Sequence, residues 1–192
     1  MTEYPNWFKV TARDHFMKYL EEFADLDNLL FLQLGAYTGD ASVWMAKHIL
    51  TGKDSGLWDV DTWQGSDEAD HKDLDFDDVY KIYLDKTSAY KNIGHSKSTT
   101  VDFLQWGKSR DYQYNFIYVD ADHTTVGVLL DAELSWPLLK SGGIMAFDDY
   151  TWEHETGDPR LQPQVGIDLF LHRHQGDYEL LEKTNQVWIK KR

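Results

Sequence analysis

The 192-residue chain predicts an α/β fold: a doubly wound, mostly parallel seven-stranded sheet with helices on both faces and a C-terminal antiparallel hairpin. Two observations carry that expectation. Short β-rich runs alternate with segments whose apolar residues recur at helical spacing, the pattern of βαβ units. The last two β-rich runs are separated only by Lys183-Thr184-Asn185, too little for a crossover but enough for a hairpin.

The elements follow in order. Residues 11–25 place Phe16, Leu20 and Phe23 at helical spacing and open the chain with a helix, after which Leu29–Leu34 reads as a buried strand. Asp40 to Leu50 carries Val43, Ala46, Ile49 and Leu50 as a second helical pattern, with Asp40 as its expected N-cap. Gly56–Asp61 is the second strand, Asp77–Tyr90 a helix, and the segment around Ile93 a weak third strand. A short helix at Val101–Trp106 precedes the strong fourth strand, Tyr114–Asp120. Val126–Leu139 is an amphipathic helix that Thr124 and Thr125 can cap, and Ser141-Gly142-Gly143 then turns the chain into the fifth strand, Gly143–Asp148. Val165–His174 is a further helix, and Tyr178–Glu182 with Gln186–Lys190 forms the hairpin. We expect one domain, 1–192, with residues 1–28 as an N-terminal helical segment and 29–192 as the core.

Composition narrows the function. There are 19 basic and 33 acidic residues, a net charge of 19 − 33 = −14, which argues against nucleic-acid binding and against a polybasic membrane contact. Asp outnumbers Glu 24 to 9, a bias toward caps, turns and ligands rather than helix interiors. Nine Asp, one Glu and two Lys fall between Asp59 and Asp85, a local balance of 2 − 10 = −8. That run reads as a solvated surface or as a lid rooted at Trp63 and Gln64. The chain has no cysteine, which excludes disulfides, thiolate metal sites and a Cys nucleophile. With no membrane-length apolar run and no signal-peptide pattern, a cytoplasmic protein is expected.

Parallel sheets bind ligands beyond the carboxyl ends of their strands, so the strand ends are where chemistry is expected. The first run ends in Gln33-Leu34-Gly35-Ala36-Tyr37-Thr38-Gly39-Asp40 and leads straight into a helix. Glycines there permit a tight turn and close approach of a ligand, and the helix N-terminus offers free N–H groups. Asp61 follows Gly39 by 61 − 39 = 22 residues, the spacing of an acid that bonds a ribose hydroxyl from the second strand. The fourth run ends in Asp120-Ala121-Asp122-His123 and the fifth in Asp148-Asp149-Tyr150. Four carboxylates at neighbouring strand ends repel unless a cation lies among them, and such oxygen ligands suit Mg²⁺, Mn²⁺ or Ca²⁺ better than zinc. The alternative is that Asp148 and Asp149 merely cap the next loop and face water.

The motif order resembles the class I S-adenosylmethionine-dependent methyltransferases, which have a Rossmann-like fold, and in particular the small O-methyltransferase-like branch related to macrocin O-methyltransferase. The pieces that carry the resemblance are Leu32-Gln-Leu-Gly-Ala-Tyr-Thr-Gly39, Val60-Asp-Thr-Trp-Gln-Gly65, Ile117-Tyr-Val-Asp-Ala-Asp-His123 and Trp136-Pro-Leu-Leu-Lys-Ser-Gly-Gly-Ile-Met-Ala-Phe-Asp-Asp-Tyr150, with Val165-Gly-Ile-Asp-Leu-Phe170 and Gln186-Val-Trp-Ile189 in the tail. The resemblance implies that Gln33, Gly35, Ala36, Thr38 and Gly39 lie along the methionine half of S-adenosylmethionine, that Asp61 accepts from its ribose, and that Thr62 and Trp63 flank the nucleoside. Trp63 has an equal alternative as a core or lid aromatic. Two departures stand out: Gln33 replaces the family's usual acid, and Tyr37 a common third glycine. Gln33 cannot neutralise the cofactor's ammonium, a task that would fall to another carboxylate such as Asp120.

In the metal-dependent relatives, aspartates at the fourth and fifth strand ends hold Mg²⁺, and the matching positions here are Asp120, Asp148 and Asp149. Asp122 or His123 would be the catalytic base, with His123 alternatively stacking on the adenine or capping a helix. The expected function is methylation of a hydroxyl on a small molecule or sugar, assisted by a divalent metal, with no nucleic-acid or membrane partner and with a homodimer compatible with the branch. Two alternatives keep the fold: a different reaction, as in hydroxylase-like or nucleotide-sugar relatives, or a non-catalytic partner-binding protein.

Overall fold

The computed structural model describes residues 4–66 and 71–192. Part of the acidic run, residues 67–70, lies outside that description. Seven strands form one sheet in the order β3-β2-β1-β4-β5-β7-β6. They are β1 (Leu30–Leu34), β2 (Gly56–Asp61), β3 (Ile93–Lys97), β4 (Tyr114–Val119), β5 (Leu139–Phe147), β6 (Tyr178–Lys183) and β7 (Val187–Lys191). The first five run parallel, and β7 joins β5 and β6 antiparallel, as the alternation and the short last connection predict. The chain order reverses between β1 and β4, so their carboxyl ends open the crevice where such sheets bind ligands.

Alternation along the strands builds a core on each face. Leu32 and Leu34, Ile117 and Val119, Met145 and Phe147 point to one side, where α4 (Thr100–Lys108), α5 (Thr125–Ser135) and α6 (Pro163–Arg173) cover them. Phe31, Phe116, Ile144, Ala146 and Trp188 point to the other, under α1 (Arg13–Leu20) and α2 (Asp40–His48). A smaller cluster of Ala36, Trp63, Val79 and Tyr83 seats α3 (Phe76–Thr87) beside the cleft. No helix among the described residues is long and apolar enough to cross a membrane.

Three local readings are corrected. The opening helix is a wide π-type turn at Phe8–Ala12, then α1, then a tight turn at Glu21–Phe23. Asp40 does not cap α2; Gly39 does so in the left-handed region (φ 80°), leaving Asp40 in the first turn, where it favours the helix dipole and takes Thr38 Oγ1 at 2.7 Å and Lys86 Nζ at 2.9 Å. Ser141-Gly142-Gly143 lies within β5 rather than before it, because the register against β4 shifts between Tyr114 and Phe116 and the strand continues past the irregularity. Thr124 caps α5 as expected, accepting from the Gly127 N–H at 3.0 Å.

Two buried acids carry a stability consequence. Asp59 (0 % exposed) on β2 and Asp131 (1 % exposed) on α5 are each pushed up to about 7, chiefly by burial. Between the ordinary carboxylate pKa of 3.8 and about 7 the folded state therefore binds more protons than the unfolded chain, so stability falls as pH rises through that window and levels off above it. Each group contributes at most about 4 kcal/mol. Thermal melts should show the midpoint falling by several degrees from acidic to mildly basic pH, with the D59N/D131N double variant losing most of that slope; equal slopes in the two proteins would refute this assignment.

Candidate active site

The loop after β1 is pinned to the end of β4. A Cβ on Gly35, whose φ is +86°, would lie 1.8 Å from the Asp120 carbonyl oxygen, so only glycine allows this crossing. The Gly35 N–H donates to the Val60 carbonyl at 2.8 Å, and the Asp120 N–H to the Leu34 carbonyl at 2.9 Å, tying three strand ends together. Tyr37 stands in the left-handed region (φ 46°), a conformation that costs a non-glycine residue about 1 kcal/mol or more and accounts for the glycine the related motif commonly has there.

Asp61 organises this loop from the neighbouring strand. Its Oδ2 accepts from the Ala36 and Tyr37 N–H groups at 2.7 and 3.0 Å, and its Oδ1 from the Trp63 N–H at 2.7 Å. Gln33 (2 % exposed) lies beneath: its Nε2 donates to the Gly35 carbonyl at 2.8 Å, and its Oε1 accepts from Ser42 Oγ at 3.3 Å. The Trp63 indole is turned into the core, donating to the Tyr37 carbonyl at 2.9 Å and packing on Tyr80 and Tyr83 with ring centroids 4.5 and 4.7 Å away. Thr62 lines the cleft beside it.

At the other side of the crevice the expected acids separate. Among the described residues, the ligand-bearing atoms of Asp120, His123 and Asp149 come within 4.8 Å of one another, with His123 Nε2 3.2 Å from Asp149 and 3.6 Å from Asp120. Asp149 joins them from a left-handed backbone (φ 54°). Asp148, expected as the third metal ligand, is not in this group. Its oxygens accept from the Tyr118 hydroxyl, from Gln186 Nε2 at 3.0 Å and from the Asp149 N–H at 2.9 Å, which commits it to a buried network with Trp188 and His15 behind Gln186. Desolvation and the charges of Asp148 and Asp149 push the Asp120 pKa well above the carboxylate range, against the pull of His123. Asp122, the other candidate base, is exposed, accepts from the Thr124 N–H at 2.8 Å and lies over Gly127 at the start of α5, where Thr124 is the cap.

These features line one cleft of about 1060 Å³. Its walls include residues that sequence reading did not single out: Trp7 and Phe8 before α1, Lys72 and Phe76 from the far end of the acidic run, and Trp152 and His154 after β5. The Trp7 ring lies 4.6 Å from that of Tyr37, and Trp152 lies 5.5 Å from His123. Tyr4 anchors the strap before Trp7 by donating to Asp78 at 3.1 Å. The available signal was the aromatic density of Tyr4, Trp7 and Phe8 ahead of the helical pattern. Seven carboxylates border the cleft (Asp40, Asp61, Asp120, Asp122, Asp148, Asp149 and Glu155), against the single lysine, Lys72, among the described lining residues.

A family model described as a methyltransferase domain matches residues 32–150, which span the glycine loop, Asp61, the Asp120–His123 turn and the Asp148-Asp149-Tyr150 end of β5. The chain belongs to that methyltransferase-domain family. No curated protein sequence matches it significantly. Many solved structures share the fold, three of them as follows. A protein of Clostridium thermocellum described as an rRNA methylase has a TM-score of 0.68 at 13% identity, with all of both chains covered. An O-methyltransferase of Bacillus cereus, in complex with SAH, has a TM-score of 0.66 at 15% identity over 99% of this chain and 83% of its own. A protein of Staphylococcus aureus described as a caffeoyl-CoA O-methyltransferase has a TM-score of 0.61 at 12% identity over 100% and 85%.

Two glycines make the loop geometry testable. Gly35→Ala meets both strain and backbone overlap, whereas Gly142→Ala has a similar φ of +78° with nothing within 4 Å. Chemical denaturation should show Gly142→Ala costing about 1–2 kcal/mol and Gly35→Ala more than about 4 kcal/mol. Equal costs would mean that Gly35 is not held against Asp120.

Proposed function

We propose that the protein transfers the methyl group of S-adenosylmethionine to a hydroxyl oxygen of an uncharged or cationic small molecule, assisted by a divalent cation. The observation that carries this reading is the convergence in one cleft of the glycine loop and Asp61 with the Asp120–His123–Asp149 group. A neighbour of the same fold that holds SAH, the demethylated product, supports the cofactor. The motif order supports a place in the small O-methyltransferase branch related to macrocin O-methyltransferase.

The chain's residues divide the work. Gly35, Ala36, Thr38 and Gly39 would border the methionine half of the cofactor, and Asp61, with three of its roughly four acceptor directions already used by N–H groups, keeps one for a ribose hydroxyl. Gln33 is occupied within the protein, so the positive charges of the cofactor would be met by the surrounding carboxylates. The sulfonium loses its charge on transfer, which weakens that electrostatic hold and favours release of the thioether.

The Asp120–His123–Asp149 group fits a divalent cation: two carboxylates that repel each other and one imidazole, mutually close enough to share an ion. With a nitrogen in the set, Mn²⁺ is a better match than Ca²⁺. Bound there, the cation would lower the pKa of the acceptor hydroxyl and orient it toward the methyl group. The 3.2 Å contact between His123 and Asp149 favours a second reading, in which a carboxylate-oriented imidazole is the base without metal.

The cleft also speaks to the acceptor. Its carboxylates and lone lysine oppose a phosphate-bearing acceptor such as a nucleic acid or an acyl-CoA, and the aromatic walls at Trp7 and Trp152 suit a ring.

Calorimetry tests the core of this reading: S-adenosylhomocysteine should bind in the micromolar range, and absence of binding would sink it. Asp149→Asn should abolish Mn²⁺ binding and lower turnover by about 10² or more while leaving S-adenosylhomocysteine affinity within about threefold, the scale of a contact the cofactor does not make. Turnover unaffected by chelator would instead support the His123 base.

A further inference from the structure

Asp149 stands in the left-handed region (φ 54°), where a non-glycine residue is strained by about 1 kcal/mol or more, so its surroundings must hold it there. The C-terminal hairpin does so from both sides. The ladder between β5 and β7 ends with Phe147 opposite Val187, which brings Gln186 beside Asp148. Gln186 Nε2 donates to Asp148 Oδ1 at 3.0 Å, and the same oxygen accepts the Asp149 N–H at 2.9 Å. The Asn185 carbonyl accepts the Tyr150 N–H at 2.9 Å. Between these two anchored neighbours lies the residue whose carboxylate reaches His123 Nε2 at 3.2 Å.

Gln186 is 0 % exposed, and its whole hydrogen-bonding capacity is used. Nε2 also donates to the Tyr118 hydroxyl at 3.3 Å, which passes its own proton to Asp148 Oδ2. Oε1 accepts from Trp188 Nε1 at 3.0 Å and meets His15 Nδ1 at 2.9 Å. An indole N–H can only donate, which fixes the amide with its oxygen toward Trp188 and its nitrogen toward Asp148. His15 must then carry a proton on Nδ1. The N-terminal segment grips the hairpin turn a second time, where the Thr11 carbonyl takes Asn185 Nδ2 at 3.1 Å.

We propose that Gln186, oriented by His15 and Trp188, is a positioning residue for Asp149: it fixes the Asp148 carboxyl, which holds the Asp149 N–H and so aims the Asp149 carboxylate at His123. The inference rests on the reading of Asp120, His123 and Asp149 as the working group of the cleft. It serves either use of that group, because a shared cation and a carboxylate-oriented imidazole both need Asp149 in place. It also accounts for a buried glutamine at this position. A glutamate would turn an oxygen on the Asp148 carboxyl, and a leucine would strip partners from Trp188, His15 and Asp148 at once.

Calorimetric titration with Mn²⁺, read beside titration of the same preparations with S-adenosylhomocysteine, tests this. Gln186→Leu should bind Mn²⁺ about tenfold more weakly or worse, the scale for losing a group that orients a metal ligand, with S-adenosylhomocysteine affinity within about threefold of wild type. His15→Phe removes one donor to Gln186 and should weaken Mn²⁺ about fivefold, which carries the test if Gln186→Leu does not fold. His15→Asn, whose amide nitrogen can stand in for Nδ1, should restore the affinity to within about twofold. Unchanged Mn²⁺ affinity in Gln186→Leu or in His15→Phe, or both affinities falling by one factor, would overturn the proposal. A crystal structure of Gln186→Leu should show Asp149 out of the left-handed region; Asp149 still left-handed beside His123 would overturn it whether or not metal binds. A wild-type protein that binds no Mn²⁺ would overturn the cation reading alone, and the backbone of Gln186→Leu then decides the positioning role.

Discussion

The approach of Gly35 to the Asp120 carbonyl is the constraint on which the rest of this site depends. A Cβ there would sit 1.8 Å from that oxygen, so the loop leaving β1 and the acid ending β4 are forced into one small volume. From that crossing the loop runs to Asp61 on one side, while Asp120 faces His123 and Asp149 on the other. The sheet order puts β1 and β4 at the reversal point, and the glycine brings their ends into contact.

Electrostatics gives the cleft its second character. Carboxylates gathered in a partly desolvated space resist ionising together, and the raised pKa of Asp120 expresses that resistance. The arrangement favours whatever positive charge can enter, whether sulfonium, metal or a cationic acceptor. Hydrogen bonding decides which acids remain available. Asp148 is held by Tyr118, Gln186 and the Asp149 N–H, and Asp61 by the loop it supports, so the number of aspartates near the cleft overstates the number that can act on a ligand.

Much of the fold was legible in the chain because strands buried on both faces read as continuous apolar runs, as in Leu29–Leu34 and Tyr114–Val119, and because Thr124 and the hairpin spacing are local signals. The glycine loop, Asp61 and the strand-end acids were legible for the same reason: a turn at a strand end is specified by neighbouring residues. What the chain did not reveal depends on partners far away in sequence. Asp148 is engaged by Tyr118 and Gln186, 30 and 38 residues distant, and nothing in Asp148-Asp149 says which of the two comes together with Asp120 and His123. Asp40 looked like a cap because its type favours caps, yet Gly39 could enter the left-handed region and took the position. The strap at Trp7 and the wall at Trp152 are placed by tertiary packing alone.

The central claim is that Asp120, His123 and Asp149 form a cation site beside a cofactor loop, with Asp148 excluded. An anomalous difference map from crystals grown with Mn²⁺ and S-adenosylhomocysteine tests it most directly. The account predicts one strong peak coordinated by Asp120, His123 and Asp149, with Asp148 still bonded to Tyr118 and Gln186. A peak coordinated by Asp148, or a fully occupied cofactor with no peak among these residues, would contradict it.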